Sequence, residues 1–102
     1  MKVPARSRAR IAVRLEFEGR TTGAVRTARG LILNISSTGM LVDTDQTLEV
    51  GDVDFSFRLA KSAPPIAGCA QIVRIECDGR YGIRYYGLEA DGAERVRRFI
   101  GQ

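Results

Sequence analysis

Ile11-Ala12-Val13-Arg14-Leu15-Glu16-Phe17-Glu18 alternates apolar and polar side chains without a break. A β-strand sends successive side chains to opposite faces, so a period of two marks a strand with one buried face. The same period returns downstream, where Val53, Phe55, Phe57 and Leu59 alternate with Asp54, Ser56 and Arg58. Between them, residues 18–23 carry two glycines and read as a turn. A second strand is expected over 24–35 and a short third over 40–43, joined by Ser37-Thr38-Gly39. Residues 44–51 form a loop, and Ala63-Pro64-Pro65 breaks the next pattern, because proline does not fit a central strand. A long strand follows over 66–76, with Ala67, Cys69, Val73, Ile75 and Cys77 expected on its inner side. Asp78-Gly79 suits a tight hairpin into a last strand over 81–88. Asp91-x-x-Glu94 has the form of a capping box, which opens a helix over about 91–100. Its apolar face would be Ala93, Val96, Phe99 and Ile100, with Arg95, Arg97 and Arg98 toward the end that favours cations. The fold class is therefore all-β with a terminal helix. A closed or nearly closed antiparallel barrel fits, although an open sheet and other small barrels share the pattern.

The 102 residues suit one small domain, read as a flexible basic arm over 1–9 and a single domain over 10–102. Apolar residues make up 44 % of the chain, which is enough for a core. No apolar run approaches the roughly eighteen residues of a membrane helix, and the basic start is not followed by a signal-type apolar stretch. These features point to a cytoplasmic protein with no membrane insertion. Histidine is absent, which argues against acid–base catalysis near neutral pH and against most metal centres. No metal and no cofactor is expected. Cys69 and Cys77 lie eight residues apart, roughly 26 Å along one strand, far beyond disulfide reach. They are read as buried, reduced thiols.

The charge is uneven. Sixteen Lys and Arg face twelve Asp and Glu, and Lys2, Arg6, Arg8, Arg10 and Arg14 all precede the first acid, Glu16. An anionic partner follows from that cluster. Arginine presents a planar fork that grips phosphate, or the O6/N7 edge of guanine, through two hydrogen bonds. Asn34-Ile35-Ser36-Ser37-Thr38-Gly39 adds short polar side chains and a glycine that permits close approach or positive φ. If Leu31, Leu33 and Ile35 face the core, Asn34 and Ser36 share the outer face.

Arg6-x-x-x-Arg10 ahead of an alternating strand, then Asn34-x-Ser36-x-x-Gly39, resembles the paired signature of the PilZ domain. Gly39-Met40-Leu41-Val42, Gly51-Asp52-Val53-Asp54-Phe55, Val73-Arg74-Ile75 and Tyr81-Gly82-Ile83-Arg84-Tyr85 fall where that family's later strands would lie, so the resemblance covers residues 6–100 or so. It implies a six-stranded antiparallel β-barrel with a helix packed against it, and cyclic di-GMP as the ligand. It also implies that Arg6, Arg10, Asn34, Ser36 and Gly39 bind that ligand, with the arginine arm clamping it onto the barrel surface. Arg8 and Arg74 are further candidate contacts. Arg10-x-x-x-Arg14 has the same spacing, but Arg14 falls inside the strand pattern. Asn34 stands where many members have Asp, and the family accepts either. The implied role is a sensor or adaptor that acts on a partner protein.

Other readings compete on the same residues. Ser36 could simply bond its own backbone in a turn, and Gly39 could serve turn geometry alone. A small basic barrel could bind single-stranded nucleic acid, with Tyr81, Tyr85 and Tyr86 as its only stacking platform. An adaptor of this type could also act on proteins without any nucleotide. An enzyme is disfavoured, because Ser36 and Ser37 have no histidine to activate them and the two cysteines have no evident activator.

Overall fold

A computed structural model describes residues 11–21, 27–77 and 79–101. Six strands close into a barrel: β1 (Ile11–Thr21), β2 (Ala28–Ile35), β3 (Gly39–Asp43), β4 (Gly51–Phe57), β5 (Ile66–Cys77) and β6 (Arg80–Leu88). Their order around the barrel is β1-β2-β3-β6-β5-β4, and every neighbouring pair is antiparallel. The single helix α1 (Gly92–Phe99) follows β6. The expected arm over 1–9, the 24–26 part of the second strand and Asp78 of the hairpin lie outside the described residues.

Alternation fills the barrel as the sequence demands in β4, where Val53, Phe55 and Phe57 point inward and Asp52 and Asp54 outward. Phe17, Phe55 and Phe57 form an aromatic row, with ring centroids 6.3 Å and 6.0 Å apart. Ile32, Ile35, Val42, Ala70 and Ile72 complete the centre, each fully shielded from water. Removing this much apolar surface from water is the main source of stability for a domain of this size.

Three sequence expectations are corrected here. The turn expected over 18–23 is strand as far as Thr21, and Gly19 is buried beneath the Phe17 ring, where a Cβ would meet Cζ at 2.6 Å. Glycine here marks close packing rather than a turn. In β5 the inward set is Ile66, Gly68, Ala70 and Ile72, the opposite parity to that expected, and Cys69 lies exposed on the outside. Both parities of that segment carry apolar residues, so the pattern was ambiguous. Only the neighbouring strands decide it.

Val96 of α1 and the C-cap residue Ile100 are buried, whereas Ala93 and Phe99 are exposed. Gly92 packs against Ile66 and Leu88, which seats the helix at the barrel end where β5 begins and β6 finishes. Asp91 occupies the N-cap position but makes no side-chain cap. Glu94 turns instead to Arg97 at 2.8 Å and Arg98 at 3.3 Å. The Arg97 hydrogen bond and charge, with Arg98 behind it, hold the Glu94 carboxyl below its usual pKa. A depressed folded-state value means the contribution is present above the unfolded value and is lost as pH falls through the folded one. A carbon-detected NMR titration should find the Glu94 midpoint below that of an ordinary glutamate. Arg97→Ala should move it back up, and an unmoved midpoint would show that the pair is not formed in solution.

Candidate functional site

Ser36 builds the turn between β2 and β3. Its hydroxyl oxygen accepts the N–H groups of Thr38 and Gly39, both at 3.3 Å, and lies 3.3 Å from the Gly39 carbonyl oxygen. The Ser36 N–H donates to the same carbonyl at 2.9 Å. A serine hydroxyl used in this way satisfies turn groups that would otherwise need water. Ser36 is accordingly buried, at 4 % exposure, and does not lie on the open outer face with Asn34 as expected. The reason is a register shift between Ile32 and Asn34 in the β2–β3 pairing. The extra residue lets Ile32 and Ile35 both point inward, and Leu33 is left half-buried rather than in the core.

Asn34 does face outward. It pairs with exposed Ala12 on β1 and half-buried Leu41 on β3, and its carboxamide has no hydrogen-bond partner among the described residues. Leu41 pairs in turn with Gly82 on β6, and Gly82 with Arg74 on β5. Ala12, Asn34, Leu41, Gly82 and Arg74 therefore form one row across five strands. Asn34 and Arg74 stand three strand spacings apart, about 14 Å. The Arg74 side chain lies across Gly82, where a Cβ would meet its Cγ at 3.0 Å and its Nε at 3.2 Å. Its guanidinium also pairs with Glu76, and it remains half exposed.

Gly39 serves close approach rather than unusual φ. It has no positive φ, but a Cβ there would fall on the Ile83 carbonyl oxygen of β6. Its cross-strand partner is Arg84, an exposed cation with no ion-pair partner among the described residues. Tyr85 ties the turn to the barrel. Its hydroxyl donates toward the carbonyls of Gly39 at 3.2 Å and Ser36 at 3.4 Å, and its N–H donates to Thr38 O at 3.0 Å. Burial pushes the Tyr85 phenol above its ordinary pKa, so it stays a donor throughout the neutral range. Tyr85→Phe should cost about 0.5–1.5 kcal/mol, the net worth of such a bond, read as a lower urea midpoint at unchanged m-value. No shift in the midpoint would mean that the hydroxyl does not hold the turn.

The site residues thus divide into groups. Asn34, Ser36 and Gly39 come together at the β2–β3 turn, with Arg74 farther along the same outer row. Arg6, Arg8 and Arg10 lie outside the described residues. The chain nevertheless enters the barrel beside them: Ile11, which follows Arg10, pairs with Ile35. Sequence reasoning missed Gly82, Arg84 and Tyr85. A glycine inside a strand is a standing sign of close approach, and Gly82 carried that sign. The three tyrosines differ in accessibility. Tyr81 is buried and accepts the Leu48 N–H, Tyr85 is committed to the turn, and only Tyr86 is broadly exposed.

No curated protein matches the sequence. Solved structures with the same barrel include the Bacillus subtilis inhibitor of motility MotI (DgrA), with a TM-score of 0.78 at 18 % identity over 96 % of this chain and 50 % of that one. The chain spans about half the length of that relative. The PilZ domain of CeSA from a cellulose-synthesizing bacterium gives 0.68 at 17 % identity, over 90 % of this chain and 94 % of that one. The PilZ domain of Escherichia coli YcgR, solved with c-di-GMP, gives 0.73 at 14 % identity, over 95 % and 89 %. At such identities the likeness speaks for the barrel. The sequence itself matches the family model for the PilZ domain over residues 4–102, and the chain belongs to the PilZ domain family.

Proposed function

We propose that the outer row from Ala12 through Asn34 to Arg74 is the floor of a cyclic di-GMP site, and that Arg6 and Arg10 close over it. The observation that carries this reading is the register of β1 on β2: Ile11 opposite Ile35 and Ala12 opposite Asn34. It sets Ala12, two residues after Arg10, directly opposite Asn34. A phosphodiester offers two charged oxygens, and each guanine offers O6 and N7, all matched by arginine forks. Asn34 both donates and accepts, which suits the mixed edge of guanine. Ser36 and Gly39 act through the shape of the turn. Arg74 and Arg84 add positive charge along the floor, and Arg8 is a further cation on the arm.

The reading is a binding module in the cytoplasm that passes nucleotide occupancy to a partner protein. It is not read as an enzyme. The Ser36 hydroxyl is committed to the turn, and the exposed Cys69 thiol donates to Asp54 at 3.2 Å. That hydrogen bond raises the Cys69 pKa and keeps sulfur in its unreactive protonated form. The YcgR domain solved with c-di-GMP and the motility inhibitor MotI lend the reading support from two relatives of the same fold.

Calorimetric titration with cyclic di-GMP, beside GTP as a control, tests it. Saturable binding of cyclic di-GMP alone is expected. Arg10→Ala should weaken it about ten- to a hundredfold, since a charge-assisted hydrogen bond contributes about 1.5–3 kcal/mol. Absence of binding, or equal binding of GTP, would overturn the assignment.

A further inference from the structure

The sequence pattern of β5 fails at one place in an informative way. Val73-Arg74-Ile75-Glu76 alternates as a half-buried strand should, yet all four residues are exposed, Val73 at 43 % and Ile75 at 54 %. Alternation of this kind signals a face meant to be covered. The described residues leave it exposed. The pairing of β4 with β5 ends at Gly51↔Ile72, while β6 stays paired with β5 as far as Cys77↔Arg80. From Val73 onward, β5 has a strand neighbour on one side only among the described residues. Its register with β6 shifts between Ile72 and Arg74 and again between Ile75 and Cys77, irregularities of the kind that bend a strand locally. Val50, 62 % exposed, stands just before Gly51 at the same end of the barrel. The result, among the described residues, is a strand edge without a partner whose apolar side chains are about half exposed, Ile75 at the rim of a cleft shared with Leu48 and Tyr81.

We propose that this edge of β5 pairs with the same edge of a second copy of the chain. The argument is self-complementarity. An antiparallel pair centred on Ile75 sets Ile75 against Ile75 of the partner subunit. Arg74 and Glu76, which pair with each other within one chain, then also face Glu76 of the partner subunit and Arg74 of the partner subunit, so the four charges alternate in sign. Both charge pairs are opposite in sign, and opposite charges directly across an antiparallel pair stabilise it. Such an arrangement is isologous and closes with two-fold symmetry, so it stops at a dimer. It also saturates the unpaired backbone groups of the edge, which otherwise invite indiscriminate pairing. The Val73 and Ile75 side chains of both copies form one continuous apolar strip. The proposal shares Arg74 with the nucleotide reading but does not require nucleotide, so it is tested in its absence.

Sedimentation equilibrium without nucleotide, taken up to the solubility limit, tests it. The weight-average mass should rise with concentration from that of one chain, 11.2 kDa, toward twice that value. Ile75→Lys should hold the chain at the monomer mass, because two cations then meet at the centre. Arg74→Glu should do the same by setting like charges across the pair. Arg74→Glu combined with Glu76→Arg should restore the dimer, which no misfolded variant would do. A monomer at every concentration would overturn the proposal. So would a dimer that survives Ile75→Lys, or a charge exchange that fails to rescue.

Discussion

Replacing Phe55 with alanine is expected to cost about 3–5 kcal/mol, the range for deleting a buried aromatic ring. A domain of this size has about 5–15 kcal/mol in total, so much of the fold's stability rests on this one side chain. The ring is 5 % exposed and lies 6.3 Å from Phe17, 6.0 Å from Phe57 and 5.9 Å from Tyr85. Aromatic neighbours at these separations add to the area term, and the three rigid rings left around the void cannot collapse into it as flexible chains would. The effect should reach the candidate site. Tyr85 packs on Phe55 with its ring and holds the Ser36–Gly39 turn with its hydroxyl, so the core supports the turn through one residue. Urea unfolding should show a much lower midpoint. A loss below about 1 kcal/mol, within the ordinary range for a surface change, would mean that the row repacks around the gap.

The barrel was legible wherever one strand face alone carried apolar side chains. β4 is such a case, and its inward residues are those the alternation names. β5 carries apolar residues at both parities, so nothing local says whether Cys69 or Ala70 points in; the pairing of Val53 with Ala70 settles it. β2 fails for another reason. Its register shift is set by how it pairs with β3, and a two-residue period cannot foresee an inserted residue. That shift buried Ser36 while leaving Asn34 outside. The candidate motif was therefore visible as a string, but the division of labour within it was not. Arg84 and Tyr85 were invisible as site residues because they join the turn only through the β3–β6 pairing, some forty-five residues apart in sequence. In α1 the expected cap is absent: Asp91 has φ −94° and ψ 20° rather than the extended backbone of an N-cap, and Glu94 turns to two arginines.

Gly39 separates structure from recognition at the site, and its substitution should be read beside that of Asn34. Gly39→Ala is expected to destabilise the domain by about 3 kcal/mol, the upper end of the range for overpacking. The added Cβ would fall on the Ile83 carbonyl oxygen, which is backbone, so no rotamer change can relieve it and β3 must move away from β6. Gly87→Ala is the matched control. It lies in β6, is exposed, and has nothing within 4 Å of a Cβ, so its effect should stay within about 0.5 kcal/mol. Because the β3–β6 seam carries the turn, Gly39→Ala should lose cyclic di-GMP affinity and stability together. Asn34→Ala removes an outward carboxamide with no described partner, so it should weaken binding while leaving the unfolding midpoint in place. If Gly39→Ala kept full stability but lost binding, the glycine would be a contact for the nucleotide itself. If Asn34→Ala lost stability instead, Asn34 would belong to the scaffold. Parallel unfolding and titration curves on the two variants therefore assign each half of the motif to its role.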